Sequence, residues 1–328
     1  MGSRLKGKVA VVTGSGQGIG RAIAIAMAQE GAKVVTNNRK QGSTGLSIYG
    51  DEFLKKLSPA DTEELHKLSG DAETTAKDII KMGGQATPFF GDVSDYKTAG
   101  KLIQTAVDKF GKVDILVNNA GAARRGFIWE LSEEAWDLVL LAKVKGAFNC
   151  IRHASPAMKE QKWGRIINCT SSSWLGAKEH SNYGAANAAM VGLTWSIAEE
   201  IYKYGITCNA YAPTAITRLH INLLARVRSM AVNGHPLMTE DEILRFRARH
   251  GPPEGMAPFI VYLATDEAAQ INGKVFHTGG TWEYGIYSEP RLKKVIRKKT
   301  GVWTVDELVE TMPKTLLKGY KSKSGSAD

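Results

Sequence analysis

Between Thr13 and Gly20 the chain reads TGSGQGIG, placing Gly14, Gly16, Gly18 and Gly20 within eight residues, with Ser15 and Ile19 between them. Glycines let a backbone turn tightly and come close to a diphosphate. A helix that starts there adds unpaired N–H groups and the positive end of its dipole. Such a pattern is weak alone. Here it follows the apolar run KVAVVTG and opens GRAIAIAMAQEGA, the strand-to-helix context that dinucleotide binding requires. A second group closes the next apolar run, KVVTNN, where Asn38 is followed by Arg39 and Lys40. A carboxylate there would hydrogen-bond an adenosine ribose and repel a 2′-phosphate. This chain has two cations instead, which favours NADP(H). Asn38 could still bond a ribose hydroxyl, so NAD(H) also fits. Asp92, with Val93 in GDV, stands at another strand end. Its carboxylate could accept from an adenine amine or cap a helix.

These residues need a frame, and the chain supplies one. Short apolar runs alternate with helical patterns. QATPFFGDV, VDILVNNAG, GRIINCTSSS, ITCNAYAPT and GKVFHTGG read as strands. YKTAGKLIQTAVDKFG, YGAANAAMVGLTWSIAEEIYKYG, EGMAPFIVYLATDEA and one long stretch, SEEAWDLVLLAKVKGAFNCIRHASPAMKEQ, capped by Ser132, read as helices. Uniformly apolar strands alternating with helices predict an α/β fold, a Rossmann-type doubly wound parallel sheet with helices on both faces. One domain is expected over residues 1–287. Residues 41–68 form an insert after the second strand, with SPADTEELHKL helical and Ser58 as its cap. Residues 219–250, rich in Leu, Met and Arg, suit a substrate lid over an apolar or thioester ligand with anionic parts, or plain helix packing. Residues 288–328 form a basic helical arm, with Thr304 as a cap and Pro313 as a breaker.

Composition narrows the class. The 328 residues carry a formal charge of +10, with 43% hydrophobic and 23% charged residues, as in ordinary globular proteins. RLKKVIRKKTG at 291–301 holds much of the local excess, as a solvated face or as a contact for phosphates. It lacks the interleaved aromatics of a nucleic-acid surface. No run approaches a membrane span or a signal peptide. Cys150, Cys169 and Cys208 are odd in number and flanked by apolar residues, which predicts reduced, buried thiols in a cytoplasmic protein. No spacing suits a metal site.

Taken together, TGSGQGIG, GDV, NNAG at 118–121, INCTSSS, YGAAN and CNAYAPT stand in an order and spacing that resemble the short-chain dehydrogenase/reductase family over roughly residues 5–285. The resemblance implies a cofactor held by Gly14, Gly18 and Gly20, by Asn118, Asn119, Ala120 and Gly121, and by Pro213 and Thr217 at the nicotinamide amide. It places the substrate-orienting serine at Ser171, with Ser172 as the alternative register, and the acid/base tyrosine at Tyr183. NGKVFHTGG, YSEPR and WTVDEL further resemble the D-3-hydroxyacyl-CoA dehydrogenase branch related to the peroxisomal multifunctional enzyme, which implies a thioester substrate.

Two letters depart from the family pattern. Four residues after the tyrosine, where a lysine favours tyrosinate and holds the nicotinamide ribose, stands Asn187. In the preceding long helix, where an asparagine belongs, stands Lys143. A free phenol ionises near pH 10, and one unit charge a few ångströms away is worth roughly 1 to 4 kcal/mol. Lys143 could supply that charge from the neighbouring helix while Asn187 covers the ribose. Alternatively the site has decayed, and the chain is an inactive subunit paired with an intact homologue. Lys143 could also be a helix residue facing solvent or an interface, or the pocket could run a different chemistry. Arg124 and Arg125 could meet a carboxylate or CoA phosphate or be surface charge. Trp129, Trp174 and His180 could line an apolar pocket or pack in the core. The expected ligand is a small-molecule ketone, alcohol or acyl-CoA, with no nucleic acid or membrane partner. The family implies a homodimer or homotetramer, or a hetero-oligomer with an intact member.

Overall fold

The computed structural model describes residues 2–42, 59–217 and 239–320. Its centre is an eight-stranded sheet, formed by β1 (Val9–Val12), β2 (Lys33–Asn38), β3 (Gln85–Phe90), β4 (Ile115–Asn118), β5 (Gly164–Cys169), β6 (Ile206–Thr214), β7 (Val275–Gly279) and β8 (Tyr284–Ile286). The spatial order is β3-β2-β1-β4-β5-β6-β7-β8. The first seven strands are parallel, and β8 runs antiparallel to β7. Strand order reverses between β1 and β4, so the crevice for a ligand opens beyond their carboxyl ends.

Around the sheet stand α1 (Gly18–Gln29), α2 (Pro59–Lys67), α3 (Ala72–Lys81), α4 (Tyr96–Phe110), α5 (Glu133–Leu140), α6 (Gly146–Gln161), α7 (Ser181–Ile201), α8 (Glu240–His250) and α9 (Ala257–Leu263). Alternation along the strands divides the core in two. Ala10 and Val12 pack with Ile23 and Met27 of α1 and Ile260 of α9 on one face. Val9 and Val11 pack with Leu102 of α4, Ile151 of α6 and Ile197 of α7 on the other. A sheet buried on both faces explains why its strands read as unbroken apolar runs. Cys150, Cys169 and Cys208 are free and buried, and burial pushes the Cys150 and Cys208 thiols up to about 12.

Three expectations need correction. The long helix at 132–161 is capped by Ser132 as expected, its hydroxyl accepting from Ala135 N at 3.2 Å. It is not one α-helix, however: Leu141–Lys145 is a π turn between α5 and α6. The segment EGMAPFIVYLATDEA is helical only over Ala257–Leu263, after a 3₁₀ turn at Pro253–Gly255. The edge strand β8 was not foreseen at all. Helix α2 falls in the insert, within SPADTEELHKL as expected, whereas Ser58 lies outside the described residues. Of the segment 219–250, only α8 and its cap Thr239 are described.

By internal contacts the chain divides into Met1–Tyr287 and Ser288–Asp328. The second unit contains α10 (Val305–Thr311), capped by Thr304 and Glu307, with Lys298 Nζ 2.6 Å from the Glu307 carboxylate. Among the described residues no helix is long and apolar enough to cross a membrane.

Helix starts depend on carboxylates. Bonds from the Thr98 side chain and backbone hold Asp95 below the usual carboxylate range. Glu242 is held down by the backbone and hydroxyl of Thr239. Burial raises Asp71, but donors from Thr74 and Gly42 outweigh it. A depressed folded value stabilises the native state fully above the unfolded value, about pH 4, and this stabilisation is lost as pH falls through the folded value. The urea midpoint is therefore expected to fall between pH 5 and pH 3. A midpoint that stays constant across that range would refute the assignment.

Candidate active site

Helix α1 begins immediately after the glycine turn. Its N-cap residue Gln17 makes no side-chain cap, and no acidic residue lies in its first turn. The first N–H groups are thus left for an outside acceptor. Gly14 sits at φ +63, a left-handed conformation that glycine adopts without strain. The turn is clamped from behind by Asn119, whose amide donates to the Thr13 and Gly14 carbonyls at 3.1 Å each. The Asn119 oxygen in turn accepts from the Tyr211 hydroxyl at 3.1 Å.

Gly14, Gly18, Ile19 and Gly20 wall one side of a cleft at the sheet's switch point. Asn38, Arg39, Leu68, Asp92 and Val93 line one end. Asn119, Ala120, Gly121 and Arg124 follow after β4, and Lys143, Cys169, Tyr183, Pro213 and Thr217 line the remainder. An uncapped helix start, a tight glycine turn and a free-standing Arg39 suit a pyridine dinucleotide. The residues present fit that group.

Most of the expected cofactor residues thus share one cleft, but three do not reach it. Ser15 is fully buried, its hydroxyl accepting from Asn37 N at 2.8 Å and its own N–H donating to the Asn37 carbonyl, so it ties the turn to β2. Gly16 is packed against Asn38 and Asp71, away from the cleft wall. Asn118 is buried in the sheet, donating to the Asn168 oxygen at 2.9 Å. Asp92 is not a helix cap. Its carboxylate accepts from Ser94 N at 2.9 Å, and Asp95 caps α4 instead.

At the other end, Lys143 occupies the middle of the π turn and is only 4% exposed. This removes the reading in which it faces solvent. Its Nζ lies 3.5 Å from where a methyl group on Gly121 would stand, and among the described residues no carboxylate pairs with it. π turns insert one extra residue into a helix and recur at functional sites. Tyr183, in the first turn of α7, is half-buried, with its ring 5.8 Å from that of His180. Asn182 anchors this turn, its Nδ2 donating to the Ala135 carbonyl at 3.1 Å and so tying α7 to α5. The sequence reading did not single out Asn182.

Asn187 is not where a ribose-binding group should be. It is fully buried, and its Nδ2 donates to the Tyr183 carbonyl at 2.8 Å, one helical turn back. Its Oδ1 has no hydrogen-bond partner, and it is absent from the cleft wall. Ser171 precedes the 3₁₀ turn Ser172–Leu175, and its Oγ accepts from both the N–H and the hydroxyl of Ser173, at 3.3 and 2.8 Å. Two accepted bonds leave the Ser171 hydroxyl proton free to donate, but Ser171, like Asn187, is not among the residues of the cleft wall. Ser173, which goes unnoticed in a run of three serines, is thus its support, whereas Ser172 is exposed. Of the remaining aromatics, Trp129 is 76% exposed and stacks on Phe127 at 4.8 Å. Trp174 packs edge-on against Tyr287. Neither lines the cleft.

An open sheet with its switch-point cleft, glycine turn and tyrosine-bearing helix defines a dinucleotide-binding α/β protein. A sequence profile described as short chain dehydrogenase matches residues 8–48 and 50–223, and the chain belongs to that family. It is 34% identical over 278 residues to a 3-oxoacyl-[acyl-carrier-protein] reductase of Synechocystis, covering 84% of this chain and 97% of the relative. It is 30% identical over 312 residues to the mouse peroxisomal multifunctional enzyme type 2, covering 95% of this chain and 37% of that much longer protein. The crystal structure of a short chain dehydrogenase from Mycobacterium avium superposes with a TM-score of 0.73 at 31% identity, over 96% of each chain.

Proposed function

We propose that this chain is an NADP(H)-dependent oxidoreductase that interconverts a secondary alcohol and a ketone, with a 3-oxoacyl or 3-hydroxyacyl thioester as substrate. One observation carries the reading: Lys143, buried and without a carboxylate partner, lines the same cleft as Tyr183, beneath Gly121. A lone buried ammonium is costly. In this reading that cost is offset when the ammonium meets the phenolate that proton transfer leaves at Tyr183.

The dinucleotide supplies or accepts the hydride. The remaining steps fall to the chain. Gly18, Ile19 and Gly20 present N–H groups to the diphosphate. The Ser171 hydroxyl donates to the substrate oxygen. Tyr183 exchanges a proton with that same oxygen, and the Lys143 ammonium stabilises the phenolate that this exchange leaves. Substrate class rests on the relatives named as 3-oxoacyl reductase and multifunctional enzyme. Assembly of like copies belongs to the same reading.

A second reading is favoured by Asn187. With its amide bonded back into α7, the Asn187 side chain does not line the cleft. A non-catalytic subunit paired with an intact homologue accounts for this. The two readings part on one experiment: NADPH consumption with acetoacetyl-CoA, alongside calorimetric titration with NADPH. Turnover supports the enzyme, whereas binding without turnover supports the partner subunit.

Cofactor choice has its own test. Arg39 lines the adenosine end of the cleft with no carboxylate on β2 to oppose a phosphate. Arg39→Ala is expected to weaken NADPH about tenfold, on the order of one charge-assisted hydrogen bond, and NADH by less than twofold. Equal losses in titration would overturn the NADP(H) preference.

A further inference from the structure

The insert leaves β2 and returns at α3, and both of its roots meet at one side chain. Asp71 is the N-cap of α3. One carboxylate oxygen accepts from Thr74 N at 2.9 Å, and Thr74 Oγ1 accepts from Asp71 N at 2.8 Å to complete a capping box. The other oxygen accepts from Gly42 N at 2.9 Å, across 29 residues of sequence. A second tie runs alongside it, Gln41 Nε2 to the Glu73 carboxylate at 3.0 Å.

This knot is pressed against the phosphate turn. Gln17, the uncapped N-cap residue of α1, donates its side-chain amide to the Gly70 carbonyl at 2.6 Å. A methyl group on Gly16 would lie 2.6 Å from Asp71 Cα, so the two backbones touch with no room for a side chain. Thr36 of β2 donates to the Ala72 carbonyl at 2.6 Å. From the same root Leu68 reaches the cleft wall beside Asn38 and Arg39, which is where an adenosine ribose lies in this architecture.

We infer that Asp71 is a positioning residue for the adenosine half of the cofactor: by bonding Gly42 and α3 at once, it sets Leu68 and the back of the phosphate turn in place. The inference rests on the reading of the cleft as a dinucleotide site. It predicts that loss of the Gly42 tie weakens the adenosine end selectively and leaves the nicotinamide end alone.

Asparagine separates this role from helix capping. It caps as well as aspartate, but it has one acceptor oxygen where the carboxylate has two. Asp71→Asn can therefore keep only one of the two bonds, and with its oxygen in the capping position toward Thr74 N it loses the bond from Gly42. Thr74→Val does the converse, removing a capping bond while both carboxylate oxygens stay engaged. The experiment is calorimetric titration of the whole chain with 2′,5′-ADP, with nicotinamide mononucleotide and with NADPH, together with a thermal melt. Asp71→Asn is expected to weaken 2′,5′-ADP and NADPH at least fivefold, with nicotinamide mononucleotide unchanged and the melting temperature nearly so. Thr74→Val is expected to lower the melting temperature with 2′,5′-ADP affinity retained. If Asp71→Asn binds 2′,5′-ADP like the unaltered chain, or if Thr74→Val loses as much affinity, Asp71 is only a cap and the inference is overturned. If the unaltered chain binds none of the three ligands, the dinucleotide reading fails instead.

Discussion

Lys143→Ala lowers kcat with a 3-oxoacyl thioester at neutral pH by about one to three orders of magnitude, and the surviving activity moves to more alkaline pH. The size follows from the charge removed. A unit charge a few ångströms away is worth roughly 1 to 4 kcal/mol, and each 1.36 kcal/mol is about tenfold in rate. The alkaline displacement distinguishes lost charge from lost packing, since a cavity under Gly121 would lower activity at every pH alike. A reciprocal exchange sharpens the test. Asn187→Lys alone puts an ammonium at a fully buried position whose side chain now bonds the Tyr183 carbonyl. Combined with Lys143→Asn, it returns the charge to the tyrosine's own helix, four residues on. The double variant is expected to recover activity that Lys143→Asn alone has lost. Activity unaffected by Lys143→Ala would remove the relocated charge from the mechanism.

Tyr183→Phe lowers kcat by about 10² to 10⁴, the range for removal of a positioned acid or base. Its NADPH affinity should stay within about twofold, because the phosphate turn and the Asn119 clamp lie elsewhere in the cleft. The backbone of α7 should also persist, since Asn182 and Asn187 bond to carbonyls rather than to the phenol. Turnover and titration on the same preparation check both halves. Full activity in Tyr183→Phe would show that another donor handles the substrate proton, and the chemistry would have to be reassigned within the cleft.

What the sequence shows and what it hides divide along physical lines. Signals that act within a few residues were legible: the glycine turn, the caps at Ser132 and Thr304, and the apolar runs of a sheet covered on both faces. The π turn was not, because LVLLAKVKGAF is apolar on so many sides that no period fixes its register. Nor was β8, three residues too short to alternate. Asn187 illustrates a local rule left unused. Short polar side chains within a helix often bond a carbonyl one turn back, which would have warned that its amide faces inward. Ser15 shows the reverse case, a polar residue in a binding motif whose partner, Asn37, lies in the next strand. The tie between Asp71 and Gly42 spans the insert, and no local pattern announces a bond between two ends of a long loop.

The π turn also determines which kinds of change the site tolerates. In Leu141–Lys145 the N–H of Gly146 reaches back five residues to the Leu141 carbonyl, so the segment holds one residue more than an α-helix of the same length. Deleting one of these five residues would let the helix close as an ordinary α-helix with α5 and α6 left nearly in phase, because the wide turn absorbs only the one extra residue, and the change would fall on Leu141–Lys145 and on the direction in which Lys143 leaves the helix. Lys143 reaches the cleft through a residue count rather than through the identity of its neighbours. A lost codon there would redirect Lys143 within the cleft.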